Sequence, residues 1–359
     1  MTEVENKIPI KGYAKWHPLK HCWVGTGFKP EWIRDLITDK KVSDPLCRIA
    51  EETEEDYQKL EGILNQAGVK TYRNWLDIDK YSDLWQMNRH VPPMNPRDQF
   101  VVIGEKFYVS GGDPVGYTPM LKNIDKKNLY LDVIDCPLNV SGAVLVNVGK
   151  DLYWDLFNYQ DGRIGDPKNY GNDEGVNSPR VRDWIAKMKE HWESLGFRVH
   201  ISERGYHSDS SFAVLKPGVI MSLYDIQNYK TLFPNWDVLY LPEQSWDLVA
   251  DWDKVKVRNK GKWWLPGEEN NRALSHFVNT WLNDWVGYVE ETVFDVNCLS
   301  LDESHVIVSG YNKQVFDYLK KHKIEPIICN FRHRYFWDGG VHCMTQDFYR
   351  EGEMEDYFG

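Results

Sequence analysis

The chain has 359 residues, with 43 Lys and Arg against 54 Asp and Glu, a formal net charge of −11. Its 42% hydrophobic and 27% charged residues are ordinary globular usage, which excludes a disordered, collagen-like or low-complexity chain. The acidic balance, without any basic block, argues against a nucleic-acid partner, and no run of about 18 apolar residues predicts a membrane span. At about 150 residues per domain the length allows two domains or one large closed one. The N-terminal MTEVENKIPIKGY carries neither an apolar signal core nor an Arg-rich transit character, so a cytoplasmic location is expected. The six cysteines, Cys22, Cys47, Cys136, Cys298, Cys329 and Cys343, form no CxxC pair and are expected to be free thiols, mostly buried.

In chain order, a strand at Cys22–Gly25 leads to a helix around Glu54–Gln66, ended by Gly68, and a strand at Lys70–Arg73. Phe100–Ile103 and Phe107–Ser110 read as a hairpin, with a later strand at Leu129–Ile134. Val144–Val148 and Leu152–Trp154 read as another, followed by a helix over Ser178–Leu195, a stop at Gly196 and a strand at Arg198–Ile201. Phe212–Leu215 and Val219–Ser222 repeat the hairpin, with a strand at Asp237–Leu241. Residues 242–296 fit less well: they hold six Trp and many charges, and read as an insertion with a helix at Asn271–Trp285. The last unit is clearest, with strands at Cys298–Leu301 and His305–Val308, a helix over Lys313–His322 and a strand at Glu325–Cys329. Val315, Phe316 and Leu319 give that helix one apolar face. Five strand-strand-helix-strand units in succession point to modules that cannot each bury an apolar face alone. A closed ring of five fits the count, in a single α/β domain spanning 1–359; an ordinary α+β fold with recurrent hairpins is the alternative.

Three stretches can carry chemistry. In Trp337-Asp338-Gly339-Gly340-Val341-His342-Cys343-Met344-Thr345 a glycine pair allows close backbone approach just ahead of a cysteine, the most nucleophilic of the ordinary side chains once ionised. In Gly205-Tyr206-His207-Ser208-Asp209, an extended backbone would turn His207 and Asp209 to the same side, and a histidine exchanges protons at neutral pH. In Pro92-Pro93-Met94-Asn95-Pro96-Arg97-Asp98, Asp98 stands at the mouth of a strand. Taken alone, the three also read as a small buried thiol, a polar turn and a strand entry. No third ligand has the spacing that would make His207 and Asp209 a metal site.

Taken together, PRD entering one hairpin, HSD entering another and GGVHCMT near the C-terminus resemble the amidinotransferases, and more distantly the arginine and agmatine deiminases. The stretch from Asn297-Cys298-Leu299-Ser300-Leu301 to Pro326-Ile327, and the opening Trp16-His17-Pro18-Leu19, are also similar to that family. The resemblance implies a pentein-type, pseudo-fivefold α/β-propeller and transfer of an amidino group from a guanidine donor to an amine acceptor. It further implies Cys343 as nucleophile through an amidino-cysteine intermediate, and His207 as the proton-transfer group. Asp98 and Asp209 are the implied acidic partners, with Arg97 and Gly340 among the substrate-contacting positions. No cofactor or metal is implied, and a homodimer is possible.

Departures from the family pattern bear on the substrate. Where relatives carry a further carboxylate, this chain reads Asn139-Val140-Ser141-Gly142-Ala143, with Ser141 or Asn139 as a neutral substitute. Where an arginine would meet an amino-acid carboxylate, it reads Asp225-Ile226-Gln227, and Asp295 stands where a small hydroxyl residue is expected. Losing a cation and gaining an anion there favours a donor or acceptor with an amine-bearing tail, such as agmatine. A guanidine hydrolase using water as acceptor, or a non-catalytic guanidine-binding protein, are the competing readings.

Overall fold

The computed structural model describes residues 7–73, 94–110, 118–134, 136, 138, 140–156, 179–202, 208–223, 228–241, 265–282, 295–337 and 339–359. Among them are fifteen strands in five sheets of three. They are β1 (Leu19–Val24), β2 (Lys70–Tyr72), β3 (Phe100–Ile103), β4 (Lys106–Val109), β5 (Leu129–Tyr130), β6 (Leu145–Val148), β7 (Asp151–Asp155) and β8 (Arg198–Ser202). The remainder are β9 (Phe212–Lys216), β10 (Val219–Ser222), β11 (Asp237–Tyr240), β12 (Leu299–Ser300), β13 (His305–Val308), β14 (Glu325–Ile328) and β15 (Thr345–Arg350).

Every sheet has the same grammar: a middle strand pairs antiparallel on one side and parallel on the other. The orders are β3-β4-β5, β6-β7-β8, β9-β10-β11 and β12-β13-β14. The fifth joins the two ends of the chain, with β1 antiparallel to β15 and parallel to β2. A two-residue hairpin serves an antiparallel pair, whereas a parallel third strand needs a crossover, usually helical. Lys40–Gln66, Pro179–Ser194 and Lys313–Lys321 are those helices in three units. The other two have one-turn helices, Thr118–Leu121 and Tyr229–Leu232.

The local signals behave as the sequence suggests. At the β6–β7 turn Gly149 has φ +63°, and a Cβ there would stand 2.2 Å from Glu355 O, so only glycine fits. Asn312 caps Lys313–Lys321 by accepting from Gln314 N and Val315 N. Two expected elements differ. The helix expected at Glu54 begins at Lys40, because Val42, Leu46, Ile49 and Ala50 find apolar partners in the helices Pro30–Leu36 and Arg272–Trp281. The strand expected over Leu129–Ile134 stops at Tyr130, and Leu131 and Ile134 are exposed. Within the expected insertion, the helix Arg272–Trp281 packs Leu274 and Val278 into the same core; 242–264 and 283–294 lie outside the described residues.

Strands β3, β6 and β10 are buried throughout and mostly apolar, with Asn147 and Ser222 as buried polar exceptions, rather than alternating. Trp23 stacks between Phe100 (5.1 Å) and Phe348 (5.7 Å), tying β1 and β15 to β3. No helix among the described residues is long and apolar enough to cross a membrane.

Candidate active site

Cys343 lies between the one-turn helix Arg334–Trp337 and β15, in a loop fixed from two sides. A Cβ on Gly339 would come within 2.5 Å of Asn95 Oδ1, and one on Gly340 within 2.6 Å of Asn297 Oδ1. The glycine pair thus lets two asparagines from distant parts of the chain close on the loop. Asn95 donates through Nδ2 to Trp337 O (3.1 Å).

Two side chains contact the sulfur and two more act around it. The thiol donates to Asp209 Oδ2 (3.2 Å), on the short helix Ser208–Ser211. Asn297 Nδ2 donates to Sγ at 2.9 Å. His342 Nδ1 stands 3.0 Å from the same Asp209 Oδ2. Asp98, at the end of a 3₁₀ turn before β3, acts on the thiol through its charge. Burial and the Asp209 and Asp98 charges push the Cys343 thiol well above its usual range, against the Asn297 hydrogen bond. Burial and the Arg97 charge carry His342 down to about 3, against the pull of Asp209. His342 is therefore neutral at pH 7, and since a carboxylate only accepts, its Nδ1 carries the proton. The contact is a hydrogen bond rather than an ion pair.

A cationic cluster lies behind the loop. Arg97 is 0% exposed; its Nε donates to His342 O (2.8 Å) and Thr345 O (2.9 Å), and its Nη2 to Asp347 Oδ1 (2.7 Å). Arg350 Nε takes Asp347 Oδ2 (2.7 Å), while its Nη1 and Nη2 reach His17 O and Ser300 O. Burial alone would raise Asp347, but the Arg350 and Arg97 charges hold it well below the carboxylate range. A cavity of about 30 Å³, room for a water or two, is lined by Lys15, Asp209, Cys298, Ser300, His342 and Arg350. Burial, with Arg97, lowers Lys15 to about 7.

The structure brings together Cys343, Asp209 and Asp98. It also presses the turn holding Ser141 against them: Asp209 N donates to Ala143 O (3.2 Å), and a Cβ on Gly142 would meet Arg97 Cγ at 2.8 Å. Ser141 is fully buried, and its Oγ has no hydrogen-bond partner among the described residues. Asp295 stands two residues before Asn297, its carboxylate accepting from Asn312 Nδ2 (2.7 Å). His207, Asn139, Asp338 and 225–227 lie outside the described residues. Arg97 lies fully buried behind the Cys343 loop, and its Nε and Nη2 hydrogen bonds tie that loop to β15. Gly340 makes room for Asn297.

The five-sheet fold that carries this loop has counterparts among solved structures. The chain superposes on an amidinotransferase of the saxitoxin biosynthetic pathway from Microseira wollei with a TM-score of 0.63, at 18% identity, covering 98% of this chain and 100% of that one. The chain has the amidinotransferase fold. A second such structure, inosamine-phosphate amidinotransferase from Streptomyces griseus, gives a TM-score of 0.59 at 16% identity, covering 97% and 99% of the two chains. In sequence the chain is similar to an L-arginine:L-lysine amidinotransferase from Pseudomonas savastanoi pv. phaseolicola, 23% identical over 222 residues. That match covers 60% of this chain and 45% of the relative. No family model matches the chain.

On this amidinotransferase fold, sequence reasoning missed Asn297 and His342. Both stand inside quoted motifs, beside residues that were singled out, but neither type announces itself: a buried Asn and a His next to a Cys are ordinary. The six cysteines are free thiols, with Cys136 alone partly exposed. Among the described residues no group of three or more His, Cys, Asp or Glu is arranged to hold a metal.

Proposed function

We propose that the protein is an amidinotransferase using Cys343 as nucleophile, on five modules closed into an α/β-propeller. The observation that carries this is the sulfur hydrogen-bonded to Asp209 and within the field of the Asp98 charge, with an N–H donor at 2.9 Å. Two anions beside a buried thiol oppose its ionisation, so the site favours the thiolate only when a cation arrives. A guanidinium supplies that cation, and carboxylates are its natural planar partners.

The Cys343 thiol gives its proton to His207, and the thiolate attacks the guanidinium carbon and forms an S–C bond. The C–N bond to the donor's remainder breaks as His207 protonates the departing amine. Cys343 then carries an amidino group. An acceptor amine attacks that carbon and gives its surplus proton to His207; the S–C bond breaks, and the released thiolate takes that proton back. No net proton is consumed. Asp295 and the absence of an expected arginine support an amine-tailed donor or acceptor over a plain amino acid; arginine and agmatine are the two donors to compare.

Incubation with each guanidine, followed by intact mass measurement, tests the scheme. The expected result is an amidino adduct on Cys343 that accumulates without an amine acceptor and disappears in Cys343→Ala. Release of a ureido product without any acceptor would refute transfer in favour of hydrolysis. A clear arginine preference over agmatine would refute the amine-tail reading.

A further inference from the structure

Asn297 is 1% exposed and uses both ends of its side chain on the nucleophile loop. Its Oδ1 accepts from His342 N (3.1 Å) and Cys343 N (3.2 Å). Its Nδ2 donates to Cys343 Sγ (2.9 Å) and to Asp209 O (3.1 Å). The amide cannot be reversed without facing two N–H donors with an NH₂ and a carbonyl with an oxygen, so the network fixes which end meets the sulfur. Gly340 is the loop position that has no room for a side chain beside this amide.

We propose that Asn297 is a catalytic residue, the hydrogen-bond donor that holds the Cys343 sulfur as a thiolate once its proton has left. The proposal deepens the reading of Cys343 as nucleophile and rests on it. In the resting thiol the S–H proton lies toward Asp209. When that proton departs, Asp209 Oδ2 becomes a repelling neighbour at 3.2 Å, and among the described residues the Asn297 N–H is the side-chain donor left pointing at the new anion. A hydrogen bond to a charged group is worth roughly twice a neutral one. In the free protein the Asn297 bond is also what opposes the upward push of burial and of the two carboxylates on the thiol. Because the same amide binds Asp209 O and the backbone of residues 342 and 343, it sets the spacing of sulfur and carboxylate as well.

The test reads the sulfur with no guanidine or amine present. Alkylation of Cys343 by iodoacetamide is followed against pH by peptide mass, with Cys343→Ala as background. Asn297→Ala is expected to raise the midpoint by about one to two pH units, a roughly 10- to 100-fold slower reaction at fixed pH. Asn297→Asp is the stronger variant. It is isosteric and keeps the acceptor for both backbone N–H groups, so it retains the loop while turning an oxygen toward the sulfur. Its midpoint should rise further than that of Asn297→Ala. A folded Asn297→Asp protein, judged by its melting curve, with a midpoint within about 0.3 units of the native one would overturn the proposal. Since no transfer is measured, a shifted midpoint in a protein that never forms an amidino adduct would uphold the donor role and sink the proposed function instead.

Discussion

Replacing Arg97 with Met tests whether the buried cation behind the loop is what holds Cys343 in place. The guanidinium is fully buried and makes three hydrogen bonds, two to carbonyls flanking Cys343 and one to Asp347. Met fills a similar volume along the stem, which packs on Gly142. The loss is therefore mainly electrostatic: Asp347 keeps Arg350 but loses its second cation, and His342 O and Thr345 O lose a donor. Removing one partner of a buried ion pair costs about 3–5 kcal/mol. At about 2 °C per kcal/mol for a chain of this size, the melting temperature should fall by about 6–10 °C. Arg97→Lys keeps the charge without the planar fork and should fall between the two. Urea unfolding by circular dichroism and by tryptophan fluorescence measures the loss. Since the Arg97 charge helps to hold His342 neutral, the Met variant should also raise the His342 titration midpoint, read by NMR. A loss under about 1 kcal/mol, the scale of ordinary surface substitutions, would refute the buttress.

Asp98→Asn removes one of the charges that push the Cys343 thiol up, so its alkylation midpoint should fall while transfer drops by about 100-fold or more for want of a guanidinium partner. A midpoint that rises or stays put would separate Asp98 from the sulfur. Lys15 has a folded pKa of about 7, below its unfolded value of 10.5, so the native state binds fewer protons between those pH values and stability gains with rising pH across that window. Lys15→Met should thus be stabilising by about 1–4 kcal/mol at and below pH 7, the gain fading toward pH 10.5. Stability curves for the two proteins that run parallel from pH 7 to 10.5 would show that the amine is not enclosed.

Much of the fold was legible because its signals are local. Hairpins announce themselves through apolar runs interrupted by turn glycines, and helix ends through Gly68 and Gly196, since a left-handed backbone or an apolar stripe is a property of a few adjacent residues. The strands His305–Val308 and Phe100–Ile103 were readable to the residue. The early start of Lys40–Gln66 was not, because its first turns are stabilised by Arg272–Trp281, more than 200 residues away in sequence. The same division runs through the site. The sequence by itself singled out Cys343, Asp98 and Asp209 as candidates, because a thiol and carboxylates are residue types able to attack or hold a cation. Only the tertiary structure decided that Arg97 faces inward and that Asn297 meets the sulfur. Their partners lie 245 and 46 residues downstream, and a hydrogen bond's direction depends on geometry that a linear order of residues does not contain.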